Sequence, residues 1–427
     1  MRKGEKPVGN RLWTRDFTII TLGSVVSMLG NSLSGFGMSL LVLDYTGSSF
    51  LYAVYVAAFT LPQLLVPIFG GAILDRFSRK KAIYTLDFVS AGMYCLLAAI
   101  LFLKWFNFPV LAIFCFFLGI IQSLYIVAYE SFYPLLISDG NYKNAYSVAS
   151  ILETLTALAI PLASLMYNGV GIAPLMCMNA GFFLVAAIME TQIKAEEKYV
   201  EKQREDLEKE RRQGRNLTAP GTFLRDVKQG FAYLWKEKGL LCIAIYFAFS
   251  SFSSGASNAI TLPFFKDNFA DGEYVYSLVW GLSVVGRMIG GFIHYRWNIP
   301  TEYKYGIALT VYITISFMEG MYLFTESIPA MTTMLFIAGF GGVTSYTIRI
   351  SATQSYVPDE KKGRFNGAFS VLSTGGSFAG ELLAGALGLL MPAKYVLLAF
   401  MSLNVLAAVF VIGGGKKYVE PIYNSQH

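Results

Sequence analysis

Gly71-Ala72-Ile73-Leu74-Asp75-Arg76-Phe77-Ser78-Arg79-Lys80-Lys81 lies between two long apolar runs and reads as a short charged turn joining two membrane helices. A glycine where the first helix ends lets two backbones approach closely. Asp75 can face the positive end of a nearby helix or pair with an arginine. The bases that follow hold the turn on the cytoplasmic side. No enzyme chemistry requires this order of residues, whereas a gate between two rigid helical bundles does.

The rest of the chain supports a membrane setting. Of 427 residues, 55% are hydrophobic and 15% charged, and the mean hydropathy is +0.50. A soluble chain carries about a quarter charged residues, so the deficit points to lipid as solvent. The net charge of +6 is not gathered into a nucleic-acid footprint. Cys95, Cys115, Cys177 and Cys242 all sit in apolar runs and read as small buried hydrophobes, so neither a disulfide framework nor a metal site is expected. No cofactor is expected either. The polar start from Met1 to Asp16 does not fit a cleavable leader, because the first apolar run is too long.

A membrane helix needs about 20 mostly apolar residues. Twelve stretches qualify: 17–43, 50–73, 82–103, 108–130, 145–167, 170–190, 239–262, 274–293, 304–323, 328–349, 365–390 and 393–413. Of the 34 Lys and Arg residues, Lys104, Lys266 and Lys394 fall in loops on one side, and Arg287 and Arg349 fall within spans. All the others lie on the opposite side, which places both termini of a multi-pass chain in the cytoplasm, and the lack of glycosylated ectodomains or targeting segments suggests a bacterial cell membrane.

Residues 191–238 separate six spans from six. Glu196 to Arg215 alternates acids and bases and reads as a solvated linker. Beyond Pro220-Gly221, Phe223, Val227, Phe231 and Leu234 share one helical face, so an amphipathic helix should lie at the interface with Trp235 at headgroup depth. The halves echo each other. Gly70 to Arg76 aligns with Gly290 to Arg296, Tyr295 standing in the place of Asp75, and Asn144-Ala145-Tyr146-Ser147-Val148 resembles Asn366 to Val371. The expected organisation is a six-helix bundle over 1–190, a linker over 191–238, and a second bundle with a short tail over 239–427. Duplicated halves around a central cavity are how alternating-access transporters are built.

These residues resemble the major facilitator superfamily. Gly71, an aliphatic residue, Asp75, Arg76, Arg79 and Lys80 match its signature between the second and third helices, with Ser78 in place of the usual second glycine. Gly30-Asn31 with Asp44 to Ser48, the Phe223–Trp235 stretch and Asn144-Ala145 resemble the macrolide-efflux-like drug:proton antiporter branch. The resemblance implies an all-α integral membrane fold of twelve transmembrane helices in two pseudo-symmetric six-helix bundles. It also implies a monomer that moves a small amphipathic molecule with protons as coupling ion. Three features depart from the branch: the fifth span reads Ala157 to Ser164 where several glycines are expected, Phe114 to Gln122 lacks an arginine, and Asn31 stands where many members carry an acid.

Ionisable residues at bilayer depth are costly and face a cavity or a partner. Glu153, Glu319 and Glu381 are the candidates for proton coupling. A carboxyl taken out of water holds its proton more tightly, which is the physical basis of such coupling. Ser370, Thr374, Ser377 and Glu381 fall on one helical face. Asn31, Gln122, Tyr125 and Asn258 are expected to line the substrate cavity. Tyr129, Phe247 and Phe252 read as packing residues that could also meet a lipophilic cation. Glu190 reads as solvated at a span end, Asp87 as a partner for the Asp75–Arg76 gate, and Arg349 as a snorkelling base. The glycines of the eleventh span suggest close helix contact. With two histidines, no Walker loop and no nucleophile motif, an enzyme is not expected. The reading is a secondary active exporter of hydrophobic or amphipathic molecules; a solute importer or lysophospholipid flippase is the alternative.

Overall fold

The computed structural model describes residues 12–74, 78–105, 107–138, 159–195, 219–297 and 299–424, with positions 145, 148 and 152 between them. Regular structure among these residues is helical. The helices are α1 (Arg15–Thr46), α2 (Ser49–Leu74), α3 (Arg79–Phe102), α4 (Phe108–Phe132), α5 (Ile160–Val170), α6 (Ile172–Thr191) and α7 (Ala219–Lys236), then α8 (Lys238–Asn268), α9 (Gly272–Arg296), α10 (Lys304–Met321), α11 (Ile328–Tyr356), α12 (Asp359–Leu387), α13 (Ala393–Ala407) and α14 (Lys416–Tyr423).

Local chemistry sets several boundaries. Ser78 caps α3, its Oγ accepting from the Lys81 N–H at 3.2 Å. A serine at this place in the charged turn therefore starts the third helix. Gly47 (φ 59°) ends α1 and Gly171 (φ 86°) divides α5 from α6, both in the left-handed region that glycine adopts without strain.

Ten helical stretches among the described residues are long and apolar enough to cross a membrane. The two other expected spans differ from these. The eleventh, expected over 365–390, lies mostly in α12, which opens earlier on Asp359, Glu360, Lys361, Lys362 and Arg364 and so is less apolar than its neighbours. The fifth is described over Ile160–Val170, and most of the rest of it lies outside the described residues.

The chain forms two compact units, each discontinuous in sequence. One comprises Met1–Phe36, Phe69–Trp105 and Ile121–Leu217; the other comprises Gly37–Ile68, Phe106–Ile120 and Thr218–His427. In the first unit, α3 packs along α6, and Phe17, Ile20, Ile83, Phe132, Tyr133 and Ile193 share a core. The Tyr133 hydroxyl donates to the Ala145 carbonyl at 2.9 Å.

In the second unit, α8 packs along α12 and α9 along α11. Glycines allow both contacts: between α8 and α12, Gly255 lies under the Ser377 carbonyl and Gly380 under that of Phe252, and between α9 and α11, Gly339 lies under the Ser283 carbonyl. Gly375, by contrast, meets nothing closer than Leu64 Cδ1 at 3.9 Å. The early segments within this unit belong to its core. Ala53 of α2 clusters with Ala256, Ala384 and Phe265, and the end of α1 is tied to α8 by the Asp44–Lys266 ion pair.

The cysteines correct one expectation. Cys115 is buried, but Cys95 and Cys177 are exposed on helix faces, which in a membrane protein includes faces toward lipid.

Candidate functional site

The first unit holds a polar cluster inside otherwise apolar helices. The Asn31 amide on α1 donates to Gln122 Oε1 on α4 at 3.3 Å. Tyr125, one turn beyond Gln122, stacks on Tyr129 at 6.0 Å and brings its hydroxyl to 3.5 Å from Ser24 Oγ. Ser27 donates to Asp87 Oδ2 at 2.9 Å. Asn31, Gln122, Tyr125, Ser27, Ser90 and Asp87 line a cavity of about 30 Å³, enough for one or two waters. Three of the four expected cavity residues thus meet in one place. The fourth, Asn258, is exposed on α8.

Glu190 differs from the sequence reading, while Asp75 and Arg76, the gate partners expected for Asp87, lie outside the described residues. Glu190 is expected at a solvated helix end, yet it is 0% exposed, and Asp87 is 1% exposed. The end of α6 turns its acid inward over Gly23 of α1, where an added Cβ would stand 3.1 Å from Glu190 Oε1. Glu190 lies beside Asp87 and the Tyr125 hydroxyl, but neither of its oxygens has a partner in hydrogen-bonding geometry among the described residues. Asp87 therefore faces Ser27 and Glu190. Asn179 shares the same unit, donating to Ser34 Oγ at 2.6 Å, and Gly30 is what lets its amide reach α1.

The second unit holds Glu381 on α12, 1% exposed. Its Oε1 accepts from Thr60 Oγ1 and Ser377 Oγ, each at 3.2 Å. Its Oε2 is buried with no partner among the described residues. Ser377 supplies its bond from one turn earlier on the expected polar face, where Ser370 is exposed. Glu319 on α10 is half-buried and within the electrostatic reach of Arg287.

Arg349 does not snorkel. Its guanidinium lies 4.7 Å from the Phe369 ring centroid, 5.0 Å from Phe247 and 5.4 Å from Tyr346. Aromatic faces from α8 and α12 hold the cation inside the unit. Phe247 thus does more than pack, while Phe252 stacks on Phe400 at 4.7 Å.

The gating motif is described in part. Gly71 lies within α2 and Arg79 opens α3, while Lys80 Nζ donates to the Ile193 carbonyl at 3.1 Å. Asp75 and Arg76 lie outside the described residues, as does Glu153. No group of three or more His, Cys, Asp and Glu among the described residues could hold a metal ion.

Two proteins of Bacillus subtilis are similar in sequence, both described as uncharacterized transporters of the major facilitator type. YkuC is 21% identical over 72% of this chain and 74% of its own length. YvqJ is 22% identical over 88% and 86%. The crystal structure of the nucleoside transporter NupG superposes with a TM-score of 0.67 at 14% identity, covering 93% of this chain and 98% of that one. A bacterial homologue of the iron transporter ferroportin, in an inward-facing state, gives 0.64 at 15% identity over 93% and 98%. At such identities the structures establish the shared fold and nothing about substrate. The sequence pattern of the superfamily itself runs through residues 20–381, from α1 to the helix that carries Glu381. Because that pattern covers most of its length, the chain belongs to the Major Facilitator Superfamily.

Proposed function

We propose that this multi-pass membrane transporter, which is not an enzyme, exports hydrophobic or amphipathic small molecules in exchange for protons. The observation that carries the coupling is Glu381. A carboxyl buried in a span is expensive unless it serves a pathway or relay. This one keeps an oxygen without a partner among the described residues while Thr60 and Ser377 hold the other. Glu319 and Glu153 are further candidates to carry the proton. The substrate class rests on the resemblance to the macrolide-efflux-like branch and on Asn31, Gln122 and Tyr125 lining one cavity together with Phe183. Amide and hydroxyl groups set among rings suit a molecule with a polar head and an apolar body.

In this reading the duplicated units over 1–190 and 239–427 rock about the linker of 191–238. Asp75 and Arg76 latch the cytoplasmic side, supported by Gly71, Arg79 and Lys80. The protein works as a monomer in the cytoplasmic membrane with both termini inside.

Proteoliposomes loaded with a fluorescent lipophilic cation test it. An imposed pH gradient drives flux in the wild type, and Glu381→Gln reduces that flux at least tenfold with insertion unchanged. Flux indifferent to the gradient contradicts proton coupling. Uptake without export points instead to the importer or lysophospholipid flippase reading.

A further inference from the structure

We propose that Asp87 and Glu190 form a second proton-holding site, a carboxyl pair that shares one proton inside the first unit. Its use in transport rests on the proton-coupled reading above, whereas its occupancy by a proton does not.

The two acids come from α3 and α6, the helices packed along each other in that unit. Both are withdrawn from solvent. Two like charges held side by side away from water repel strongly, and such pairs keep one proton between them. The groups around them are mostly neutral. From α1 come Ser24 and Ser27, and from α4 come Tyr125 and Tyr129, the latter stacked on Tyr125. The bases on α3 stand at its inner end, where Lys80 donates to the Ile193 carbonyl and Lys81 is exposed.

Two independent observations indicate a bound proton. Glu190 is wholly buried, with both oxygens lacking hydrogen-bond partners among the described residues. An acid O–H between the two carboxyls satisfies one oxygen of each, with Ser27 donating to the remaining charge on Asp87. The second observation is the polar cavity that Asp87 lines with Ser27, Asn31, Ser90, Gln122 and Tyr125. A water there gives the proton a route to Asp87, after which it passes to Glu190 by exchange of one O–H bond for another. A metal ion fits poorly, because no third His, Cys, Asp or Glu among the described residues joins the two acids.

Dicyclohexylcarbodiimide adds to protonated carboxyls in apolar surroundings, and mass spectrometry of the whole purified protein locates it. The pair predicts labelling at Asp87 or Glu190 that falls several-fold between about pH 6 and about pH 9 and is unaffected by Na⁺ or Mg²⁺. In Glu190→Gln, Asp87 has lost the neighbour that forces protonation, so its labelling at neutral pH falls several-fold. No labelling of either acid at any pH, protection by a metal cation, or unchanged Asp87 labelling in Glu190→Gln overturns the pair. Wild-type labelling stands even where the variant fails to fold. Gradient-driven flux with an unlabelled pair sinks this site alone. A labelled pair in a protein whose flux ignores the gradient sinks the coupling reading alone.

Discussion

Thr60 and Ser377 hold the same oxygen of Glu381 from two different helices. Thr60 is thus a positioning residue, and Thr60→Val is expected to slow gradient-driven flux several-fold in proteoliposomes, while Thr60→Ser restores it. Equal loss in both variants argues against the hydroxyl. The serine that opens α3 gives a second prediction. Ser78→Ala removes a cap worth about 0.5–2 kcal/mol and should speed amide exchange in the first turn of α3, leaving α6 protected. Residues such as Asn31 and Gln122 are legible in the sequence because a polar side chain inside a long apolar run stands out. Glu190 is not, since its place near a span end suggests water. The inward turn of α6 and the space over Gly23 decide otherwise, and both are tertiary facts. Arg349 is misread for the same reason: the rings that hold it come from helices distant in sequence.

Between helices, the small residues of α12 set how closely it meets α8. Gly380 faces the Phe252 carbonyl with no room for a side chain, whereas Gly375 is open apart from Leu64. Gly380→Leu is therefore expected to cost at least about 1–3 kcal/mol and lower the melting temperature in detergent, while Gly375→Ala leaves it unchanged. Similar melting of the two variants contradicts this account of the contact. A glycine-rich span announces close packing from sequence alone but does not name the partner. The same holds for length. Apolar runs mark most spans, yet α12 begins well before residue 365 because its first turns are charged and helical at once. The Phe223–Trp235 stretch forms α7, with Leu234 buried and Trp235 76% exposed, so one face docks and the other is left for the interface.

Over the whole chain, composition and the bias of Lys and Arg make the membrane fold legible, because lipid admits only helices and closed barrels, and apolar runs of about 20 residues suit helices. The compact units are less legible. Their borders cut α1, α2 and α4 in mid-helix, and the alanine and glycine contacts of α2 with α12 that draw Ala53 into the second unit leave no periodic signal. The central claim is that the two duplicated halves move against each other as protons and substrate bind. Spin-label pairs measured by pulsed electron resonance test it most directly, after the native cysteines are replaced. One pair joins Lys81 to Lys361 at the expected cytoplasmic ends, and the other joins Lys104 to Leu390 at the opposite ends, all four being exposed positions. The account predicts that a change of pH or addition of substrate lengthens one distance while shortening the other; two separations that stay fixed under every condition contradict it.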